Sequence, residues 1–252
     1  MIRVSASALD ILWTDLGHAR PPEPLSLRSV GGTHEERADI RQAVYDNLAD
    51  RGLFRDGLLD PALQIRLDTL ATANTYVECE ALADMAAETP FRAVAASRGK
   101  QAVLATQPSQ TIALSSIRES EVFSALVDLL PELRPGPGYG VSMPAAALGG
   151  AVEDPVFGDR PASGRSGSRD RQISEVLAIQ ARPVYSAGQF SVRVRDGQGK
   201  LRRAGGLSWF VTDVGAYFGT VTASRNDQEW VNLAPADGPR LIARLASILD
   251  PD

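Results

Sequence analysis

Between Pro131 and Arg169 the chain places Pro131, Pro135, Pro137, Pro144, Pro155 and Pro161 among frequent glycines. This stretch constrains the fold more than any other. Proline withdraws backbone donors and glycine frees the backbone, so regular pairing is denied to most of it. It reads as a long mobile connection, residues 131–169, holding one short helix near Val141 to Leu148. The fold must then be assembled from a stretch before this seam and a stretch after it, approximately 1–130 and 170–252.

The two stretches repeat an order of elements. In the first, Leu9, Leu12, Trp13 and Leu16 recur at the spacing of one helical stripe, predicting a helix from about Ser7 to Leu16. Pro21, Pro22, Pro24 and the Gly31-Gly32 pair then make a loop. Thr33 with Glu36 forms a capping box ahead of Ile40, Val44 and Leu48, predicting a second helix that ends near Gly52. Asp60-Pro61 starts a third, because Asp accepts from free amides and proline at the first helical position has none to waste. Short apolar runs follow at Thr75 to Val77, Phe91 to Ala95, Ala102 to Ala105 and Thr111 to Leu114. With Ser97-Arg98-Gly99-Lys100 as a tight turn between two of them, they predict four antiparallel strands. A helix with Val122, Leu126 and Leu129 on one face is expected from about Ile117 to Leu130.

The second stretch opens with a helix over Arg169 to Gln180. Phe190 to Arg195 then alternates apolar and polar residues, as a half-buried strand must. Turns at Asp196 to Gly199 and Thr212 to Gly215 separate further strands near Leu207 to Val211 and Tyr217 to Thr222, and Trp230 to Leu233 makes a fourth. Asp237 caps a last helix with Leu241, Ile242, Leu245 and Leu249 on its core face. Both stretches thus read helix, four strands, helix, although no residue-level repeat is visible. The expected class is α+β: a central, largely antiparallel sheet flanked by helices, in two quasi-symmetric halves.

The chemistry-bearing residues exclude more than they propose. His18 and His34 are the only histidines, both beside loops, and read as surface residues. Cys79 is the sole cysteine, so no internal disulfide is possible, and its neighbours Glu78 and Glu80 disfavour a reactive thiolate. It reads as a buried small hydrophobe in a reducing cytoplasm. No phosphate loop, nucleophile elbow, dinucleotide fingerprint or zinc or calcium spacing occurs. Glu35, Glu36 and Asp39 are accounted for by the positive end of a helix. Apolar runs such as Leu126 to Leu130 fall far short of the roughly 20 residues that cross a bilayer, and the first residues lack the order of a secretory signal. The net charge of -5 repels nucleic acid and anionic membrane as a whole. Two basic groups, Arg193, Arg195, Lys200, Arg202 and Arg203 on one hand and Arg160, Arg165, Arg169 and Arg171 on the other, lack stacking aromatics. A solvated sheet face, or a contact for an acidic protein, accounts for them better than nucleic acid does.

Particular segments carry a resemblance. Leu9-Asp10-Ile11-Leu12-Trp13 with Pro21 to Leu25, Gly52-Leu53-Phe54 followed by Leu58-Leu59-Asp60-Pro61, and Trp230-Val231-Asn232-Leu233-Ala234-Pro235 ahead of the last helix resemble the EspG family of actinobacterial ESX, or type VII, secretion. The similarity spans nearly the whole chain, as one EspG-like domain over 1–252, through hydrophobic and turn patterns and no catalytic signature. It implies a cytosolic, non-enzymatic chaperone that binds the exposed apolar tip of a PPE-like client, in its PE/PPE pair, and keeps it soluble. The family's contact surface includes the sheet, a strand hairpin loop and the C-terminal helical region. The matching hairpin here is Arg98, Gly99, Lys100 and Gln101. The alternative from another class is a small-ligand enzyme or regulator whose site assembles only in three dimensions, for which an apolar pocket with converging polar groups would speak. On either reading of the motifs no metal or organic cofactor is expected. Elemental analysis and native mass spectrometry of the purified protein should find neither, and stoichiometric zinc or a retained nucleotide would contradict the binding-protein reading.

Overall fold

The computed structural model describes residues 1–146, 167–223 and 229–250. The chain opens with a strand the sequence pattern does not announce. In β1 (Ile2–Ser5) only Ile2 and Val4 alternate, too short a period to read, yet it pairs antiparallel with a strand more than 100 residues later, Val4 opposite Ile112. Ser5 ends β1 and caps α1 (Ala6–Asp15), its hydroxyl accepting from the Ala8 amide at 3.0 Å. Leu9, Ile11, Leu12 and Trp13 are buried on this helix. The predicted capping box is present at the start of α2 (His34–Asp50). Arg37 and Arg41 of this helix reach back to Asp10 and Asp15 of α1 at 2.8 and 2.7 Å. A two-stranded ribbon, β2 (Phe54–Arg55) and β3 (Leu58–Leu59), precedes α3 (Pro61–Thr72), whose start is the expected Asp60 cap.

Four strands then form a meander: β4 (Thr75–Leu82), β5 (Phe91–Arg98), β6 (Gln101–Gln107) and β7 (Thr111–Ile117). All four runs are where the sequence pattern puts them, and each is longer than its apolar stretch because the ladder continues through polar residues. The helix expected from Ile117 to Leu130 is a correction. Ile117 still belongs to β7, opposite Ala102. A single 3-10 turn, Glu119–Glu121, and the short α4 (Ser124–Val127) follow. The Glu121 carboxylate accepts from the Arg118 amide at 2.8 Å, which starts the turn late. Leu129 and Leu130 close by bonds to residues only three back, so the helix tightens and ends.

The helix expected near Val141 to Leu148 is also corrected. Val141–Pro144 is a strand, β8, pairing with the penultimate element of the fold, and Val141 and Met143 are buried on it. Proline is tolerated there because it stands at the end of an edge strand, where its missing donor costs nothing. The rest of the expected connection, 147–166, lies outside the described residues, as do Arg160 and Arg165. The second meander follows α5 (Gly167–Gln180) as β9 (Val184–Arg195), β10 (Leu201–Thr212), β11 (Gly215–Ala223) and β12 (Glu229–Pro235), and α6 (Gly238–Leu249) ends the fold on its Asp237 cap.

All ten long strands form one sheet in the order β1-β7-β6-β5-β4-β9-β10-β11-β12-β8, antiparallel throughout. Each half therefore reads outer strand, helical segment, four-strand meander, helix, the first half's segment holding α1, α2, the β2-β3 ribbon and α3, and the halves meet at β4 and β9. Alternation along the strands sorts the core. On one face α1, α2 and α3 pack on Tyr76, Val94, Ala96, Val103 and Ala105. On the same face of the other half α5 packs through Ile173 and Val176 on Phe210, Tyr217 and Leu233. On the opposite face α4 and α6 cross the middle of the sheet, covering Val77, Cys79, Phe190, Val192 and Trp209. The first face is thus left uncovered where the halves meet.

The middle of the sheet depends on a local irregularity in β10. Arg203 pairs with Arg193, but Gly205 pairs with Val192, so Ala204 is an extra residue, and such a bulge re-aims the side chains around it. A Cβ on Gly205 would stand 2.9 Å from Ile248 of α6, and one on Gly206 would stand 2.4 Å from the Phe190 carbonyl oxygen. Gly206→Ala is expected to destabilise the fold by about 1–3 kcal/mol, the usual cost of forcing an atom into a packed site. Gly219→Ala, one strand away with its nearest neighbour at 3.7 Å, should be close to neutral. Denaturant unfolding of the two variants checks the contrast.

Candidate functional site

The uncovered strip is a groove across β4, β9 and β10. Its floor comes from side chains on one face by strict alternation: Glu78 and Glu80 from β4, Gln189, Ser191 and Arg193 from β9, and Ser208 from β10. One end is polar, a pocket of about 210 Å³ closed at its rim by Glu23 and Pro24 of the loop after α1. The other end is apolar, floored by Leu82, Ala187 and Phe210 and edged by Pro90. The loop between β4 and β5 is tied down there by the Met85 amide donating to the Tyr185 carbonyl at 2.9 Å. Met85 and Tyr185 are both exposed.

The polar end is organised around Glu78, whose side chain is 7% exposed. Arg193 stands beside it, Nε to Oε2 at 3.2 Å, while the Nη2 of the same guanidinium donates to Glu23 at 2.6 Å. One arginine therefore joins β9 to β4 and to the loop after α1. Glu80 is paired separately with Arg92 of β5 at 3.2 Å. Burial dominates the titration of Glu78 and pushes its pKa up to about 7, against the opposing pull of Arg193, while Glu23 raises it further and a hydrogen bond from Ser191 and the charge of Arg203 lower it. Arg203 lines the same pocket, and among the described residues no carboxylate lies within ion-pair distance of it.

Two other members of the basic group, Arg195 and Arg202, are absorbed locally. Arg195 donates to the carbonyls of Ala73 and Gly199, and Arg202 pairs with Asp196 at 2.7 Å. Cys79 is buried on the opposite face, its thiol pushed up to about 12 by burial first and by Glu80 second; it is the inert hydrophobe that its neighbours imply. His18 departs from a simple surface residue: its ring sits edge-on to Trp13, and its Nε2 is 3.1 Å from Asp68 of α3. His34 is exposed. Among the described residues no group of His, Cys, Asp and Glu is placed to hold a metal, and no helix is long and apolar enough to cross a membrane.

The hairpin Arg98 to Gln101 joins β5 to β6 as a two-residue turn. Arg98 pairs with Gln101, and Gly99 at the first tip position has φ +57, the geometry that glycine alone supplies without strain. All four residues are exposed. Arg98 donates to the Thr72 hydroxyl at the end of α3 at 3.0 Å. This tip lies at the end of β5 away from Arg92 and Pro90, so the structure does not bring it into the groove. Of the groove residues, Arg193 and Arg203 are visible in the sequence as a basic group. Glu78 and Glu23 are missed as partners. Tyr76, Glu78 and Glu80 on one face against Val77, Cys79 and Ala81 on the other is the signal that could have found the floor, whereas Glu23, 170 residues from Arg193, leaves none.

The fold and groove define a class, an α+β protein built on one continuous antiparallel sheet with a partly open central face. The chain belongs to the EspG family, whose sequence model matches residues 5–247. Among solved structures it is similar to that of the Mycobacterium tuberculosis type VII secretion system chaperone EspG5 in complex with the PE25-PPE41 dimer, with a TM-score of 0.72, 17% identity, and coverage of 99% of this chain and 95% of that one. No curated protein matches the chain.

Glu78 makes stability depend on pH in a stated direction. Its folded pKa, about 7, lies above the ordinary 4.5, so the folded form holds the proton more tightly. The associated stability is fully present below about 4.5 and lost as pH rises through 7. Glu78→Gln should remove this slope and raise stability on the alkaline side by about 1–2 kcal/mol, less than the full shift because the groove is open to water. Melting of both proteins across that range checks it, and a variant less stable at alkaline pH would show that the pair with Arg193 outweighs desolvation.

Proposed function

We propose that this protein is a cytoplasmic chaperone of type VII secretion that binds a PPE-like client, in its PE/PPE pair, and shields the client's exposed apolar tip. Membership of the EspG family over residues 5–247 carries the reading. It is supported by the fold shared with EspG5, which is described as a type VII secretion system chaperone in complex with the PE25-PPE41 dimer. The role is binding, not catalysis. The chain 1–252 acts as one unit in which the halves 1–130 and 170–252 present a common surface. The groove suits such a surface: an apolar lip at Leu82, Pro90 and Phe210 beside a charged floor provides anchors together with groups that fix orientation.

The hairpin Arg98, Gly99, Lys100 and Gln101 is proposed as an outlying arm of that surface. Its charges stay solvated at the tip of an exposed turn, where they steer association more than they hold the complex. Mixing the protein with a PE/PPE pair from the same genome should give a stable complex in size-exclusion chromatography with light scattering, and absence of binding to every such pair would sink the proposal. Replacing Arg98 and Lys100 together with Glu should slow association by about tenfold at low salt while the melting temperature stays within a few degrees. Unchanged association would remove the hairpin from the surface and leave the groove.

A further inference from the structure

Arg203 stands directly opposite Arg193 in the register of β10 and β9. Both guanidinium groups lie on the groove side, since both line the polar pocket, and the Arg203 Nη2 is the near neighbour of any Cβ placed on Gly206. Like charges directly opposite each other on a sheet are destabilising, yet the bulge at Ala204 and the bare Gly206 create the space that holds Arg203 there. Among the described residues, Arg193 alone of the two has carboxylate partners, Glu78 and Glu23. Glu78 belongs to the sheet and is buried. Glu23 comes from a loop and is 62% exposed, so it can leave without disturbing the core.

We propose that Arg193 and Arg203 form a receptor for a carboxylate side chain of the partner protein, and that Glu23 occupies this receptor in the free protein as an internal stand-in. This deepens the function proposed above and rests on it. A partner Asp or Glu entering the pocket replaces Glu23 on Arg193 and supplies Arg203 with the acceptor it lacks. Two guanidinium groups around one carboxylate satisfy charge and directional hydrogen bonding together. Glu78 stays in place behind Arg193 and holds its guanidinium at the floor.

The test uses the full chain and a PE/PPE pair from the same genome. Arg203→Glu is the informative variant because Arg203 is exposed and, among the described residues, forms no ion pair; the reversed charge faces Arg193, so melting should hold or rise and not fall. Its affinity for the pair should fall by about tenfold or more. Glu23→Gln should act in the opposite sense, raising affinity several-fold by removing the competing carboxylate. Replacing the client's surface Asp and Glu residues one at a time with Lys, in the Arg203→Glu background, should find one position that restores binding. Acetate and inorganic phosphate at matched ionic strength should compete weakly, and competition as strong as that of the client would overturn a protein carboxylate in favour of a free anion. Equal binding by wild type and Arg203→Glu, or weaker binding by Glu23→Gln, overturns the receptor while leaving the chaperone function standing. Failure of the wild type to bind any pair removes both.

Discussion

The pairing of β4 with β9 is the contact on which the rest of the molecule depends. Eight residue pairs, from Thr75 opposite Val194 to Leu82 opposite Ala187, join two meanders into one sheet. Their register is fixed by the faces it presents. Val77, Cys79, Phe190 and Val192 turn together toward α4 and α6, while Glu78, Ser191 and Arg193 turn toward the groove. A slip of one residue would carry the charged set into the apolar core and the apolar set into water. An unpaired buried charge costs several kcal/mol, and more than one would be moved. The charges therefore specify the joint as firmly as the apolar residues do.

The groove is a consequence of how the halves are related. Each half brings its helices to the first face over its own outer strands, α1 to α3 on one side and α5 on the other. The first layer touches the junction only at one end, where Tyr76 of β4 donates to the Leu70 carbonyl of α3, and α5 packs on β10, β11 and β12. On the second face the situation is reversed, because α4 and α6 each follow a meander and return over the middle. Gly205 makes room for Ile248 of α6 on that side, while Gly206 leaves room for Arg203 on this one. A single irregularity in β10 thus serves both the closed face and the open one.

Much of this was legible in the sequence, for reasons that differ between elements. The Thr33-Glu36 box, Asp60-Pro61 and Asp237 are local signals, in which the residue that caps the helix sits within three positions of the amide it satisfies. The eight meander strands are likewise carried by local signals, short apolar runs between turns and, in Phe190 to Arg195, alternation. The two outer strands were not legible. β1 offers two apolar residues, and β8 lies among prolines and glycines; each is a strand only because an edge is available to pair with, opposite Ile112 and Val231 respectively. The shortened α4 has the same origin, since β6 holds Ile117 in the ladder and takes the first turn from the helix. Along the groove, periodicity places Glu78 and Arg193 on faces, but only the order of strands makes the two faces one.

The composition of that floor follows from its exposure. Where a helix layer covers the sheet, the inward residues are mostly aliphatic and aromatic, as Val94, Val192, Phe190 and Trp209 are, and burial repays their ordering. At the junction water reaches the backbone from one side, so an apolar floor would be a permanent exposed patch and a liability for association with wrong partners. Charged residues remove that liability but are partly desolvated by the walls, and burial outweighs the attraction of Arg193 in setting the Glu78 titration. Such a site stays in tension without collapsing, because the cost of each charge is offset by a neighbour from another strand or loop. The apolar lip at Leu82, Pro90 and Phe210 lies just beyond these charges. A partner that supplied both an apolar anchor and a matching charge would relieve the exposure of the first and the desolvation of the second in one contact, which a partner offering apolar surface alone could not do.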